Sequence, residues 1–262
     1  MRGSIADVLS GAATWAAGNC DGFMLARWLG AGVVDHVIGD PPYDEQTHAG
    51  MRTMKDRGEA TSIDFAALPP ADTFIPGLVT VAKRWTILFC SMLHYGDIRA
   101  AAGGPRDAGG GWVRTGFWHR TNSAPQITGD RPAQPGEGVA ILHATGGRMR
   151  WNRGGDQAFW EGPIDRDPRR MHPTKKPLWL MEALVRDFTD PGDLVFDPTM
   201  GEGTTGEACI RLGRRFIGSE IDPRYYAGAV DRLTRADARP KQVALLGIDP
   251  KPREKQIKIE GT

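Results

Sequence analysis

Leu194-Val195-Phe196 runs directly into Asp197-Pro198-Thr199-Met200-Gly201-Glu202-Gly203-Thr204-Thr205-Gly206, and few folds accommodate such a junction. A short apolar run, a glycine-rich turn and helical residues to about 212 read as strand, turn and helix, with bare backbone N–H groups in the turn open to a ligand. The next strand, 215–219, ends in Glu220, and a helix is expected over 223–235. Gly201-x-Gly203-x-x-Gly206 followed by an acid at the next strand end is the spacing in which a carboxylate holds ribose hydroxyls. An adenosine-bearing cofactor is therefore expected, its identity left open. A P-loop is excluded, because no Gly-Lys-Ser/Thr follows.

The alternation of strand and helix extends upstream. Asp21 is a plausible N-cap for an apolar helical pattern ending at Gly30, and the β-branched run Val33 to Ile38 stops at Gly39-Asp40-Pro41-Pro42-Tyr43. Two prolines cannot continue a ladder, so Asp40 belongs at the carboxyl edge of a strand. Residues 44–62 lack periodicity, and a loop of that length is expected to be functional or disordered. A helix over 74–83 and a buried strand over 85–90 follow, then a glycine-rich break at 103–111, strands near 112–119 and 138–144, and a helix over 177–189. Together these elements predict an open, mostly parallel, doubly wound α/β sheet. Residues 103–170 read as an inserted recognition region, and 240–262 as a basic tail carrying Lys251, Arg253, Lys255 and Lys258.

Charge narrows the partners. The 262 residues carry 33 Lys+Arg against 32 Asp+Glu, so bulk polycation binding to nucleic acid is excluded and an anionic partner needs a local patch. Residues 106–176 hold an excess of five positive charges, and Arg148, Arg150 and Arg153 are the candidate phosphate contacts. Of the tryptophans in this stretch, Trp112, Trp118, Trp151 and Trp160, at least two are expected in the core. Cys20, Cys90 and Cys209 are far apart and the histidines show no ligand spacing, so neither a disulfide framework nor a metal site is expected. With no apolar run of membrane-spanning length, a cytoplasmic, nucleoid-associated protein is the expectation.

Asp40-Pro41-Pro42-Tyr43 carries the chemistry. A carboxylate, a carbonyl whose direction is fixed by proline, and an aromatic face suit a flat base bearing an exocyclic amine: Asp40 and the Pro41 carbonyl each accept one N–H while Tyr43 stacks. In order along the chain, this tetrapeptide, His172-Pro173-Thr174-Lys175-Lys176-Pro177, Asp197-Pro198-x-x-Gly201-x-Gly203-Thr204-Thr205 and Gly218-x-Glu220 resemble the beta-class DNA amino-methyltransferases that use S-adenosylmethionine.

The resemblance implies a Rossmann-like methyltransferase fold in permuted motif order, with Asp40, Pro41, Pro42 and Tyr43 catalytic. It implies donor contacts from Asp40, Asp197, Pro198, Gly201, Gly203, Thr204, Thr205, Glu220 and Asp222, with His172, Pro173, Thr174 and Lys176 on the methionine side. Asn19 or Asp21 would lie beside the adenine, Asn19 standing where the family usually has an acid. Double-stranded DNA is the implied partner and a homodimer a weaker one. Adenine N6 is preferred to cytosine N4, because the cytosine enzymes more often carry Ser or Thr at the position of Asp40. An RNA adenine methyltransferase, an NAD-dependent oxidoreductase sharing the glycine loop, and a non-catalytic nucleic-acid-binding module are the alternatives. The last two give no use for Asp40 to Tyr43 beside a donor site.

Overall fold

The computed structural model describes residues 2–41, 69–123, 125–165 and 175–238; Pro42, Tyr43, His172, Pro173, Thr174, the stretch 44–62 and the basic tail lie outside them. The strands are β1 (Trp15–Gly18), β2 (His36–Gly39), β3 (Trp85–Cys90), β4 (Trp112–Arg120), β5 (Gly136–His143), β6 (Phe159–Gly162), β7 (Leu194–Asp197) and β8 (Arg215–Ser219). They form one sheet in the order β1-β8-β7-β2-β3-β5-β4-β6. From β1 to β3 all neighbours are parallel, β5 is antiparallel to both β3 and β4, and β6 is parallel to β4.

Side chains alternate between the two faces, as period-2 geometry requires. Ile38, Ile87, Phe89, Val139, Ile141, Val195 and Phe216 pack against α5 (Leu178–Phe188), α6 (Thr204–Arg211) and α7 (Pro223–Ala238). Val37, Leu88, Ala140, Leu142, Phe196 and Ile217 pack the other way, against α1 (Ile5–Ser10), α2 (Gly22–Leu29), α3 (Ala71–Val81) and α4 (Tyr95–Ala101). Helices cover both faces, so the central strands are apolar on both sides and read in the sequence as continuous buried runs. The result is the three-layer α/β architecture expected from the sequence.

The edge beyond β3 departs from that expectation. Residues 112–162 contribute β4, β5 and β6 to the main sheet, with β5 aligned on β3 from Trp85↔His143 to Cys90↔Gly138. Trp118 and Trp160 are buried, and Trp118 meets Phe89 edge-on. Over its described strands, the stretch 103–170 is continuous with the main sheet. Glycine and proline between antiparallel strands had disguised a continuous sheet.

Chain order shows where the sheet reverses. From β7 the chain passes through α6 to β8 on one side, and from β2 through α3 to β3 on the other. β7 and β2 are neighbours, with His36↔Val195 and Val37↔Phe196 in register. Ligands of doubly wound sheets bind outside the carboxyl ends of strands at such a switch point.

Candidate functional site

Two strand ends meet at the switch point, Asp197 on β7 and Gly39-Asp40 on β2. Gly39 leaves little room there: a Cβ would fall 3.1 Å from both Asp197 Oδ1 and Pro198 Cδ. From below, Gly22 brings the start of α2 against the same turn, where a Cβ would lie 1.9 Å from the Pro198 carbonyl oxygen and 2.6 Å from its Cα. Backbone cannot rotate aside as a flexible side chain can. Gly22→Ala is therefore expected to displace the turn, lowering the melting temperature by roughly 2–12 °C through about 1–3 kcal/mol of overpacking. An unchanged melting temperature would show that the turn yields without cost.

Behind Asp197 the turn is tied to β8. Met200 N–H donates to the Ser219 carbonyl (2.9 Å), Gly203 N–H to the Met200 carbonyl (2.7 Å) and Gly201 N–H to Glu220 Oε2 (3.0 Å). Gly201 and Gly203 have φ of 52° and 78°, a region that suits glycine, and Gly203 begins α6 with no side-chain cap. The second Glu220 oxygen accepts from Asp222 N–H (2.8 Å). Asp222 itself accepts from Arg224, whose guanidinium holds its carboxyl down at about 2.

The acids at this edge are poorly solvated. Burial pushes Asp197 up to about 7, although the Thr205 hydroxyl and the Thr199 N–H oppose it, and the charges of Asp40 and Glu220 add to the rise. Burial pushes Asp40 up to about 6, with Lys176 opposing and Glu137 reinforcing. Glu220 is raised as well, chiefly by burial, against the backbone N–H groups it accepts. Asp40 Oδ1 and Thr199 Oγ1 are buried with no hydrogen-bond partner among the described residues. Buried orphan acceptors beside bare glycine backbone suit a polar, cationic ligand.

The remaining expected positions fall into three groups. Asn19 and Asp21 follow β1, next to β8, and both are engaged: the Asn19 amide donates to the Glu220 and Ile221 carbonyls (2.7 and 3.1 Å), and Asp21 Oδ1 caps α2 through Phe23 and Met24 N–H (2.8 and 3.1 Å). Asn19 thus shapes the backbone beside Glu220. Lys176, expected at the methionine side of a donor, instead bonds Asp40 Oδ2 at 2.7 Å and Glu137 Oε2 at 2.9 Å. Glu137, on β5, went unnoticed in the sequence because no local pattern joins it to either partner.

Arg150 and Arg153 pair with acids near the other end of the strands. The Arg150 carbonyl accepts from Trp85 Nε1 at the start of β3, and its guanidinium pairs with Asp190 (3.1 Å) ahead of β7. Arg153 pairs with Asp156 (2.6 Å) and Asp187 (3.5 Å). These groups sit at the amino ends of the strands, and the six residues of β3 separate that end from the Asp40 edge by about 20 Å. A charge count along the chain carries no information about which end of a sheet it decorates.

On the far side of Asp40 from the glycine turn, a cavity of about 560 Å³ opens against Pro41, Phe74, Phe89, Cys90, His94 and Ile98. Its size is that of a small-molecule site. Cys90 is no nucleophile there, since burial pushes its thiol up to about 12. Among the described residues no cluster of His, Cys, Asp and Glu suits a metal ion, and no helix is long and apolar enough to cross a membrane.

Known proteins resemble the chain in fold and over part of its length. The family model described as DNA methylase matches residues 117–231, which is less than half of the chain and excludes Asp40. The type II methyltransferase M.HinfI of Haemophilus influenzae is 34% identical over 94 residues, 36% of this chain and 26% of that protein. M2.DpnII of Streptococcus pneumoniae is 40% identical over 77 residues, 28% of this chain and 29% of that protein. The chain therefore spans under a third of the length of these curated relatives. Among solved structures, the M1.HpyAVI–SAM complex superposes with a TM-score of 0.62 at 24% identity, covering 84% of this chain and all of that one. The cytosine-N4-specific PvuII DNA methyltransferase gives 0.63 at 14% identity, covering 84% and 86%. At these identities the likeness is one of fold.

Proposed function

Resembling the S-adenosylmethionine-dependent DNA amino-methyltransferases in motif order, matched stretch and fold, the chain is one for which we propose transfer of a methyl group from S-adenosylmethionine to the exocyclic amine of an extruded DNA base, adenine N6 in preference to cytosine N4. The observation that carries this reading is the adjacency of β2 and β7, which sets the Asp40 carboxylate beside the Asp197 glycine turn. Donor and acceptor then meet across one crevice, as transfer between two bound molecules requires.

Asp197, the N–H groups around Gly201 and Gly203, Thr204 and Thr205 would hold the donor, with Glu220 accepting from its ribose hydroxyls. When bound, the donor supplies a methyl on a sulfonium whose charge vanishes on transfer. An exocyclic amine is a poor nucleophile because its lone pair is delocalised into the ring. By accepting one N–H each, Asp40 Oδ1 and the Pro41 carbonyl draw the nitrogen toward tetrahedral geometry and localise that pair. The N–C bond forms as the C–S bond breaks, and the surplus proton on nitrogen passes to the Asp40 carboxylate. The cavity beside Pro41 and Phe89 would receive the base, whose extraction from a duplex costs a few kcal/mol. Tyr43 stacking belongs to this proposal, and so do His172 to Thr174 on the methionine side.

Incubation of the protein with DNA and methyl-labelled S-adenosylmethionine, followed by nucleoside analysis, tests the reading. N6-methyladenine is the expected product; N4-methylcytosine would reverse the base preference, and label on ring carbon would refute the amine chemistry. A rise in melting temperature with NAD rather than S-adenosylmethionine would move the protein to the oxidoreductases. The base must enter at the carboxyl edge, so neutralising Arg148, Arg150 and Arg153 together is expected to leave the salt dependence of DNA binding unchanged. A slope flattened by about one unit per arginine would make the opposite end of the sheet the DNA face.

A further inference from the structure

Lys176 occupies an uncommon position. It is buried at 5% exposure, its Nζ lies 2.7 Å from Asp40 Oδ2 and 2.9 Å from Glu137 Oε2, and it sits 4.7 Å above the Phe89 ring. Glu137 is held in turn by Arg120 at the end of β4 (3.4 Å). A line of alternating charge thus runs from β4 through β5 to the end of β2 and stops at a carboxylate with one oxygen bonded and the other, Oδ1, buried without a partner among the described residues.

We propose that Lys176 and Glu137 are positioning residues for Asp40: the ammonium, fixed between two carboxylates, occupies Oδ2, sets the plane of the carboxylate and leaves Oδ1 as the oxygen that accepts from the substrate amine. This rests on the amine-methylation reading and assigns to the Lys176 side chain a task other than donor binding. A carboxylate free to rotate would present either oxygen, or both, and lose the single direction that pulls one N–H out of the ring plane. Glu137 gives the ammonium a second carboxylate, so that Asp40 and Glu137 hold it from two sides in a buried site.

The charges facing Asp40 give the proposal a signature. Among the described residues they are Lys176, Glu137, Asp197 across the switch point and the neutral Cys90 thiol on β3, with Arg120 behind Glu137. Removing a neighbouring anion lowers the Asp40 pKa and removing the cation raises it, each by about one unit. In Glu137→Gln the acid limb of kcat/KM should therefore move down from the wild-type position near 6, and in Lys176→Gln it should move up, with kcat reduced and donor affinity retained. Lys176→Arg should recover part of the lost rate. A role confined to fold stability would move melting temperature without moving the two limbs in opposite directions.

The experiment pairs pH–rate profiles of the three variants with direct titration of the Asp40 carboxyl carbon by 13C NMR in the full chain. Opposite displacements in both measurements support the proposal, and an Asp40 titration unmoved by Glu137→Gln overturns it. Should Lys176→Gln fail to fold, Glu137→Gln carries the test alone. A wild type that transfers no methyl to DNA while Asp40 titrates as described defeats the functional reading, whereas an active wild type with unshifted variants defeats this one.

Discussion

Replacing Asp40 by Asn is expected to lower methyl transfer by about 10²- to 10⁴-fold, the range typical of losing a positioned proton acceptor, while donor affinity stays unchanged. The substitution keeps shape and volume and removes the charge at the oxygen that has no partner among the described residues. Lys176 retains Glu137 at 2.9 Å, so its ammonium is not left unpaired and the fold should survive. Single-turnover rates with labelled methyl groups, set beside donor titration by calorimetry, separate the two effects. If Asp40→Asn keeps the wild-type rate, the amine is activated elsewhere. The acid limb belongs to the same residue: its folded pKa of about 6 lies above the ordinary 3.8, so the active carboxylate prevails above pH 6 and kcat/KM should fall tenfold per unit well below it.

Glu220→Ala is expected to act on the donor. Loss of a charge-assisted acceptor for two hydroxyls weakens binding by about 1.5–3 kcal/mol, or roughly 10- to 150-fold in Kd. The variant also frees the N–H groups of Gly201 and Asp222, which bond different oxygens of the carboxylate, so the glycine turn loosens at once. Glu220→Gln offers the finer test, since an amide keeps one acceptor and turns a donor toward the other N–H. Calorimetry should rank Kd as wild type, then Gln, then Ala. Equal Kd in all three would remove Glu220 from the donor site.

Much of this site could be read from residues adjacent in sequence. β2 ends at Gly39, just ahead of Asp40 and Pro41 as expected, and Asp21 caps α2 through two N–H groups because a carboxylate ahead of an apolar helical pattern has little else to do. The glycine turn and Glu220 follow from strand, turn and strand spacing alone. What escaped depends on partners far apart in the chain. Glu137 gains meaning only when β5 lies against β3 and Lys176 arrives ahead of α5. The arginines at 148–153 illustrate the converse, since charge is local in sequence while the end of the sheet that Arg150 and Arg153 decorate is set by topology. Short elements were also missed: β1, Trp-Ala-Ala-Gly, has too few residues for a period to show, yet it pairs with β8 along its whole length.

Asp40, Asp197 and Glu220 converge on one edge with their proton affinities raised above the ordinary carboxylate range, two of them to between 6 and 7. Near neutral pH such an edge is a proton reservoir. A cationic donor seated beside Asp197 and Glu220 favours their ionised forms, so binding should expel protons into the medium. In calorimetric titrations at pH 7 the apparent binding enthalpy should then vary with the ionisation enthalpy of the buffer, the slope giving the protons released per donor bound. Neutral product lacks the sulfonium charge and should return them, so that each catalytic cycle would discharge and refill the same store, and the donor should bind more weakly as the pH falls toward 6.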